Sequence, residues 1–322
     1  MLVQIFRRLG FAAGLSVLIA TAPTVAARAG GDQPAYIVKA VADPARPATD
    51  VERDANRKPG EVLAFAGVKP GDRVADYAAG NGYFTRLFSG IVGAQGHVYA
   101  SVPASLFQYE NIVKGIADIQ AYIVTHPNVS VTAGSAIDAA RYPEKLDLFW
   151  ISQNYHDLHD PFMGPVDMKA FNRAVYAALK PGGVYIVLDH VATTGSPANV
   201  TDTLHRIEPS TVRREVEGVG FEFVGSSDLL ANPADPHTAG PFNAAIRGHT
   251  DQFIFKFRRP LRDGRWLANC GSLGTRHIFS HDVRNKVAGA RAGWLSATIE
   301  AGARAPSSVT RSKRRVRCRS WE

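Results

Sequence analysis

Val74-Ala-Asp-Tyr-Ala-Ala-Gly-Asn-Gly-Tyr-Phe-Thr85 writes a strand, a tight turn and a helix start into twelve residues. Val74 to Tyr77 is short and partly apolar, and it ends beside an acid. Gly80 and Gly82 bracket Asn81, three residues that tolerate positive φ or close backbone approach. Phe84, Leu87 and Phe88 then recur at helical spacing. In an open α/β sheet such a turn lies at the carboxyl end of a strand, where ligands bind. The stretch therefore calls for a small cofactor held against backbone.

On either side of this stretch, strand and helix patterns alternate. Strand candidates are 73–77, 97–102, 128–132, 146–151 and 183–189. Between them, Tyr109, Ile112, Ile116, Ile119 and Ile123 make one helical stripe, and Phe171, Val175, Ala178 and Leu179 another. Lys180-Pro-Gly-Gly183 is expected to end the second helix, with glycine at its C-cap. Successive βα units imply a parallel sheet with right-handed crossovers. A late helix at about 210–217 and a strand pair, 221–225 and 251–258, close the body. The expected fold is α/β, a Rossmann-like, doubly wound, mostly parallel seven-stranded sheet with an antiparallel last strand.

The turn does not suit a dinucleotide. That fingerprint wants a third glycine, where Thr85 stands, and an acid about twenty residues on. The strand Val98-Tyr-Ala-Ser-Val102 ends without one. The pattern D-x-A-x-G-x-G, Asp76 to Gly82, resembles motif I of class I S-adenosylmethionine-dependent methyltransferases. Leu179-Lys-Pro-Gly-Gly-Val-Tyr-Ile-Val-Leu-Asp-His190 resembles their strand 5 block. Leu146-Asp-Leu-Phe-Trp-Ile-Ser-Gln-Asn-Tyr-His-Asp157 resembles strand 4 and its exit. With Leu204-His-Arg-Ile-Glu208 and Asn232-Pro-Ala-Asp-Pro-His237, residues 50 to 260 look like an exported bacterial branch labelled predicted methyltransferases.

The resemblance implies S-adenosyl-L-methionine as cofactor and methyl transfer to a small-molecule acceptor. It places Asp76, Tyr77, Ala78, Gly80, Asn81 and Gly82 at the cofactor, with Asp76 facing its amino acid end. Ser101, Ser135, Gln153 and Asn154 complete the expected binding set. Two departures stand out. Ser101 and Val102 occupy the place of an acid that grips the ribose, and Gly134-Ser135 that of a Gly-Asp pair at the adenine. Losing a charged hydrogen bond costs on the order of 1.5–3 kcal/mol. That leaves an alternative function open, an exported non-catalytic ligand-binding protein on the same fold.

Gln153-Asn-Tyr-His-Asp-Leu-His-Asp160 is the densest polar block. Methyl transfer from a sulfonium is an in-line displacement, so the protein mainly aligns the nucleophile and handles its proton. The expected catalytic residues are Tyr155, lining the methyl channel, His156 or Asp157 as general base, and His190 against substrate. Asp157 as a group that merely orients a histidine, Tyr155 as a packing residue, and His190 as a residue held by packing or a loop hydrogen bond remain open. Asp160 before Pro161 reads as an N-cap. His156 and His159 with Asp157 and Asp160 are metal-ligating types, but their spacing is not H-E-x-x-H, and no metal ligand is assigned. His205-Arg206 lies on a short helix that lids the pocket, with Arg206 expected to pair with a core acid.

The ends differ from the body. Arg7-Arg8, the apolar run Leu9 to Ala22 and the small residues after it read as a secretory signal peptide, 1–29, implying export to the periplasm. No stable membrane span is expected after its cleavage. Residues 30–50, rich in Ala, Pro and Asp, read as a linker before the 51–260 domain. The net charge of +8 misleads, because 261–322 alone carries +9 and 30–260 carries −4. The body thus has no footprint for nucleic acid. The basic tail 261–322, which holds Cys270 and Cys318, lacks periodicity and is expected to be disordered or aberrant. The oligomeric state is left open.

Overall fold

The computed structural model describes residues 33–261. Residues 1–32 and 262–322, with the expected signal peptide, both cysteines and nearly all of the basic tail, lie outside the described residues. The chain runs through α1 (Ala35–Val41), α2 (Ala48–Val51), α3 (Asp54–Arg57), α4 (Pro59–Ala66), β1 (Arg73–Tyr77), α5 (Tyr83–Val92) and β2 (His97–Pro103). It continues with α6 (Glu110–Ile123), β3 (Val129–Gly134), β4 (Leu146–Ser152), α7 (Met168–Ala178) and β5 (Leu179–His190). The remaining elements are α8 (Val200–Leu204), α9 (Pro209–Glu217), β6 (Glu222–Ser227) and β7 (Gln252–Arg258).

The inner strands β1, β2, β4 and β5 are apolar on both faces because helices cover both. The seven strands lie in the order β3-β2-β1-β4-β5-β7-β6, and only β7 is antiparallel to its neighbours. This is the expected α/β, Rossmann-like, doubly wound sheet with an antiparallel last strand. On one face Val74, Val98, Leu148 and Trp150 pack under α1, α4, α5 and α6. On the other, Tyr77, Phe149, Ile151 and Tyr185 pack under α7 and α9. The strand order reverses between β1 and β4, and the crevice outside their carboxyl ends is where open α/β sheets bind ligands. Register brings Asp76 beside Ala100 and Trp150, and Tyr77 beside Ser101 and Ile151.

Two stretches depart from expectation. The segment read as a linker carries α1 and α2. Ile37 is fully buried, and Asp50 forms a two-pronged ion pair with Arg86 on α5, at 2.7 and 3.0 Å. Second, Lys180-Pro-Gly-Gly183 does not cap a helix. The α7 helix ends at Ala178, Leu179 is already extended, and Gly182 (φ 82°) sits where the β4–β5 register shifts. No helix among the described residues is long and apolar enough to cross a membrane.

Candidate cofactor and substrate site

Asp76 is buried near the end of β1, and its Oδ2 accepts a 2.6 Å bond from Thr85 Oγ1. The strand's acid is thereby tied to the first turn of α5. Burial pushes the Asp76 carboxyl up to about 6, against the Thr85 bond and the charge of Arg57. The chain then turns through Ala78, Gly80 and Gly82, with φ of 57°, 57° and 80°. A Cβ on Gly80 would meet no atom nearer than 4.0 Å, so the turn is open at that point. Gly82 is closed in by α6, where Ile119 Cγ1 would lie 2.7 Å from an added Cβ. Asn81 is exposed and accepts from Arg53 Nη1 at 3.2 Å.

Two arginines missed in the sequence stand over this turn. Arg57 Nη2 donates to Gln153 Oε1 at 2.8 Å, and its guanidinium lies 4.8 Å from the Tyr83 ring centroid. Arg53 lies 5.1 Å from the same ring. Burial, helped by the charge of Arg53, lowers Arg57 to about 10. Their spacing of four residues, which sets side chains on one helix face, was the available signal. The arrangement fits the methionyl end of S-adenosylmethionine: a carboxylate for its ammonium and a guanidinium for its carboxylate.

The nucleoside end finds less. Ser101 is buried, with its hydroxyl taken by Tyr142 Oη and Thr132 Oγ1, both at 2.9 Å. Ser135 is exposed and donates to Asp138 Oδ2 at 2.7 Å while accepting from the Asp138 N–H, a local turn bond. Neither serine presents a free hydroxyl to a ligand. Tyr77 packs between Phe149 and Phe171 and donates to the Ala136 carbonyl at 2.8 Å, so it belongs to the core rather than to a cofactor surface.

At the exit of β4, Gln153 takes a left-handed φ of 62° and bridges Arg57 to Gln252. Asn154 Nδ2 donates to Asp157 Oδ2 at 2.7 Å. Tyr155 is fully buried, donates to Glu215 and accepts from Asn172, so its ring packs in the core and lines no channel. His156 is buried between two carboxylates, Nδ1 to Asp189 at 2.8 Å and Nε2 to Asp157 at 3.1 Å. Burial alone depresses this imidazole, but Asp189 and Asp157 outweigh it and hold it well above its ordinary value. A ring held between two anions in this way is no free general base. Burial opposes ionisation of Asp157, but the charge and hydrogen bond of His156 keep it well below the usual carboxylate range.

His190 differs from its neighbour. Its Nδ1 meets Thr250 Oγ1 at 2.7 Å, and burial, opposed by Asp189, lowers it to about 3. It is a neutral imidazole at the carboxyl edge of β5. His159 turns away to Glu215 at 3.0 Å. Asp160 caps nothing through its side chain: both carboxylate oxygens are buried without a hydrogen bond. Arg206 forms the expected ion pair, with Asp235 at 2.7 Å, and both side chains are fully buried.

No family model matches the chain, and no curated protein matches it. Solved structures do. An S-adenosylmethionine-dependent methyltransferase from Aquifex aeolicus is 18% identical over 66% of this chain and 94% of its own, with a TM-score of 0.44. An arsenic(III) S-adenosylmethionine methyltransferase from Chlamydomonas reinhardtii is 19% identical over 72% and 75%, with a TM-score of 0.46. The N-methyltransferase NodS from Bradyrhizobium japonicum is 13% identical over 66% and 98%, with a TM-score of 0.43. These likenesses are too remote to assign an activity, and the chemistry of the site rests on its own geometry.

Proposed function

We propose that this protein transfers a methyl group from S-adenosylmethionine to a small-molecule acceptor. One observation carries the reading: a buried acid at the end of β1, an open left-handed turn after it, and Arg57 above both. When bound, the cofactor supplies an electrophilic methyl group on a sulfonium. Asp76 accepts the methionyl ammonium, and Arg57, steadied by Gln153, pairs with the methionyl carboxylate. Gly80 lets the ligand approach the backbone closely. His190 stays neutral at the adjoining edge. So weak a base orients an acceptor O–H or N–H by hydrogen bonding and does not remove its proton beforehand. Alignment and exclusion of water supply most of the rate.

A second reading, a binding protein without catalysis, is favoured by one observation. Ser101 and Ser135 spend their hydroxyls inside the protein, leaving the nucleoside end without a charged acceptor. Export to the periplasm is proposed from the pattern of residues 1–29 and fits this second reading, since S-adenosylmethionine is made in the cytosol. Calorimetric titration of the full chain with S-adenosylmethionine and S-adenosylhomocysteine tests the proposal. Saturable heat below millimolar ligand is expected. No heat up to millimolar concentrations of either compound contradicts it. Saturation without methyl release to any acceptor in a small-molecule panel favours the second reading.

A further inference from the structure

The exit of β4 and the end of α8 bring three ligand-type side chains together. His156 Nε2 lies 3.1 Å from Asp157 Oδ1, and His205 Nδ1 lies 3.8 Å from the same oxygen. One ligand atom from each of the three falls within 4.8 Å of the others. Two ligands on a tetrahedral zinc ion sit about 3.4 Å apart, given bonds of about 2.0–2.1 Å. The three atoms are therefore spaced around a volume close to that of one cation, with His205 moving inward by an ångström or so to close the set.

The surroundings match the demands of a metal. His156 Nδ1 faces Asp189 at 2.8 Å, and Asp189 is itself pinned by the backbone N–H groups of His156 and His190 at 2.9 and 2.8 Å. A carboxylate on the far ring nitrogen fixes the tautomer and aims the Nε2 lone pair at the cluster, as in carboxylate–histidine–metal arrangements. Asn154 holds the second oxygen of Asp157 at 2.7 Å. His205 is kept in the left-handed region (φ 49°) while the next residue, Arg206, is buried and bonded to Val191, Ala239 and Asp235. Its side chain is thereby turned toward Asp157 rather than left to the helix end.

Charge points the same way independently. Asp157, Asp160 and Asp189 are all buried here. Among the described residues none of them forms an ion pair with a lysine or arginine. The Asp160 carboxylate, almost fully buried, accepts no hydrogen bond; the Thr201 hydroxyl faces it outside bonding geometry. Its charge acts on His156, Asp157 and His205. Asp157 and Asp189 share His156 between them, so the three buried carboxylates here are incompletely compensated, and such groups are usually paired or coordinate a metal.

We propose that His156, Asp157 and His205 form a site for one divalent first-row transition cation of the zinc type. Two histidines and a carboxylate leave a coordination position for water or a substrate oxygen, the pattern of an open rather than a closed site. The site would open on the side of His205, whose ring packs edge-on against exposed Phe242 at 5.2 Å. His159 and Asp160 supply no ligand atom. The proposal stands apart from methyl transfer, because it asks only for the metal.

The test uses the purified full chain after dialysis against a chelator. Zinc alone is titrated by calorimetry, and cobalt(II) is added as an optical probe. One equivalent of zinc is expected to bind at micromolar or tighter concentration, with visible cobalt absorption that zinc abolishes. His205→Ala and Asp157→Asn each weaken zinc by about 100-fold or more, and Asp189→Asn by about 10- to 100-fold. His205 is half-buried, so His205→Ala tests the site in a chain whose far-ultraviolet circular dichroism stays unchanged. The proposal is overturned if the folded wild type takes up no zinc at 100-fold excess. It is equally overturned if His205→Ala binds zinc as tightly as wild type.

Discussion

Asp76 sets two opposed effects on one carboxyl group. Its folded-state pKa, about 6, lies above the ordinary value of 3.8 because burial penalises the anion. A raised pKa favours folding at low pH, and that contribution is lost as pH rises through about 6. Above that pH the buried anion costs on the order of 3 kcal/mol. Asp76→Asn is therefore expected to raise the unfolding free energy at pH 8 and to change it little at pH 4, checked by urea denaturation at both. On the proposed function the same substitution removes the partner of the methionyl ammonium, and it is expected to weaken S-adenosylhomocysteine binding by about 10- to 100-fold. Arg57→Ala is expected to weaken it to a similar degree, with stability lowered by about 1–2 kcal/mol, because the bond to Gln153 and the contact with the Tyr83 ring are lost. The turn at Gly80 and Gly82 was legible in the sequence because it needs their backbone freedom. Arg57 was not, since its role depends on a helix folding back over the turn from about twenty residues upstream. His156 misled for a related reason: residue type marks it as a base, but only the fold shows that Asp189 and Asp157 enclose it.

Among the elements, the segment before β1 matters most. Seven residues of α1 and four of α2, separated by prolines, have the composition of a linker, and short helices give no periodicity to read. What folds them is tertiary: Ile37 enters the core, and Asp50 meets Arg86 in a buried pair. Removing one partner of such a pair leaves an uncompensated buried charge and costs about 3–5 kcal/mol. Asp50→Ala is expected to lose that much in guanidinium denaturation, and the double change Asp50→Ala with Arg86→Leu to regain most of it. The start of β5 shows the converse. Pro-Gly-Gly signals a break in either element, and the register shift against β4 is invisible without the partner strand.

For the molecule as a unit, the α/β class and the seven strands followed from alternation of pattern and from the resemblance, whereas the strand order and the place of its reversal came from the structure. Class and strand number rest on many residues at once and survive local errors. The long connection between β6 and β7 was harder to read. It is held by Arg206, whose guanidinium reaches Asp235, Val191 and Ala239 from a fully buried position. Arg206→Met leaves buried Asp235 without its cationic partner, held only by the backbone N–H groups of His237 and Asp251. It is expected to lower stability by about 3–5 kcal/mol and to open residues 228–250 to limited proteolysis well before the sheet unfolds. Methyl transfer requires a ligand lying across the reversal between β1 and β4. A crystal structure of the full chain with S-adenosylhomocysteine tests this most directly. The expected density runs over the Gly80–Gly82 turn, with the amino acid end between Asp76 and Arg57. Density for the ligand elsewhere on the molecule, with that turn bare, would contradict it.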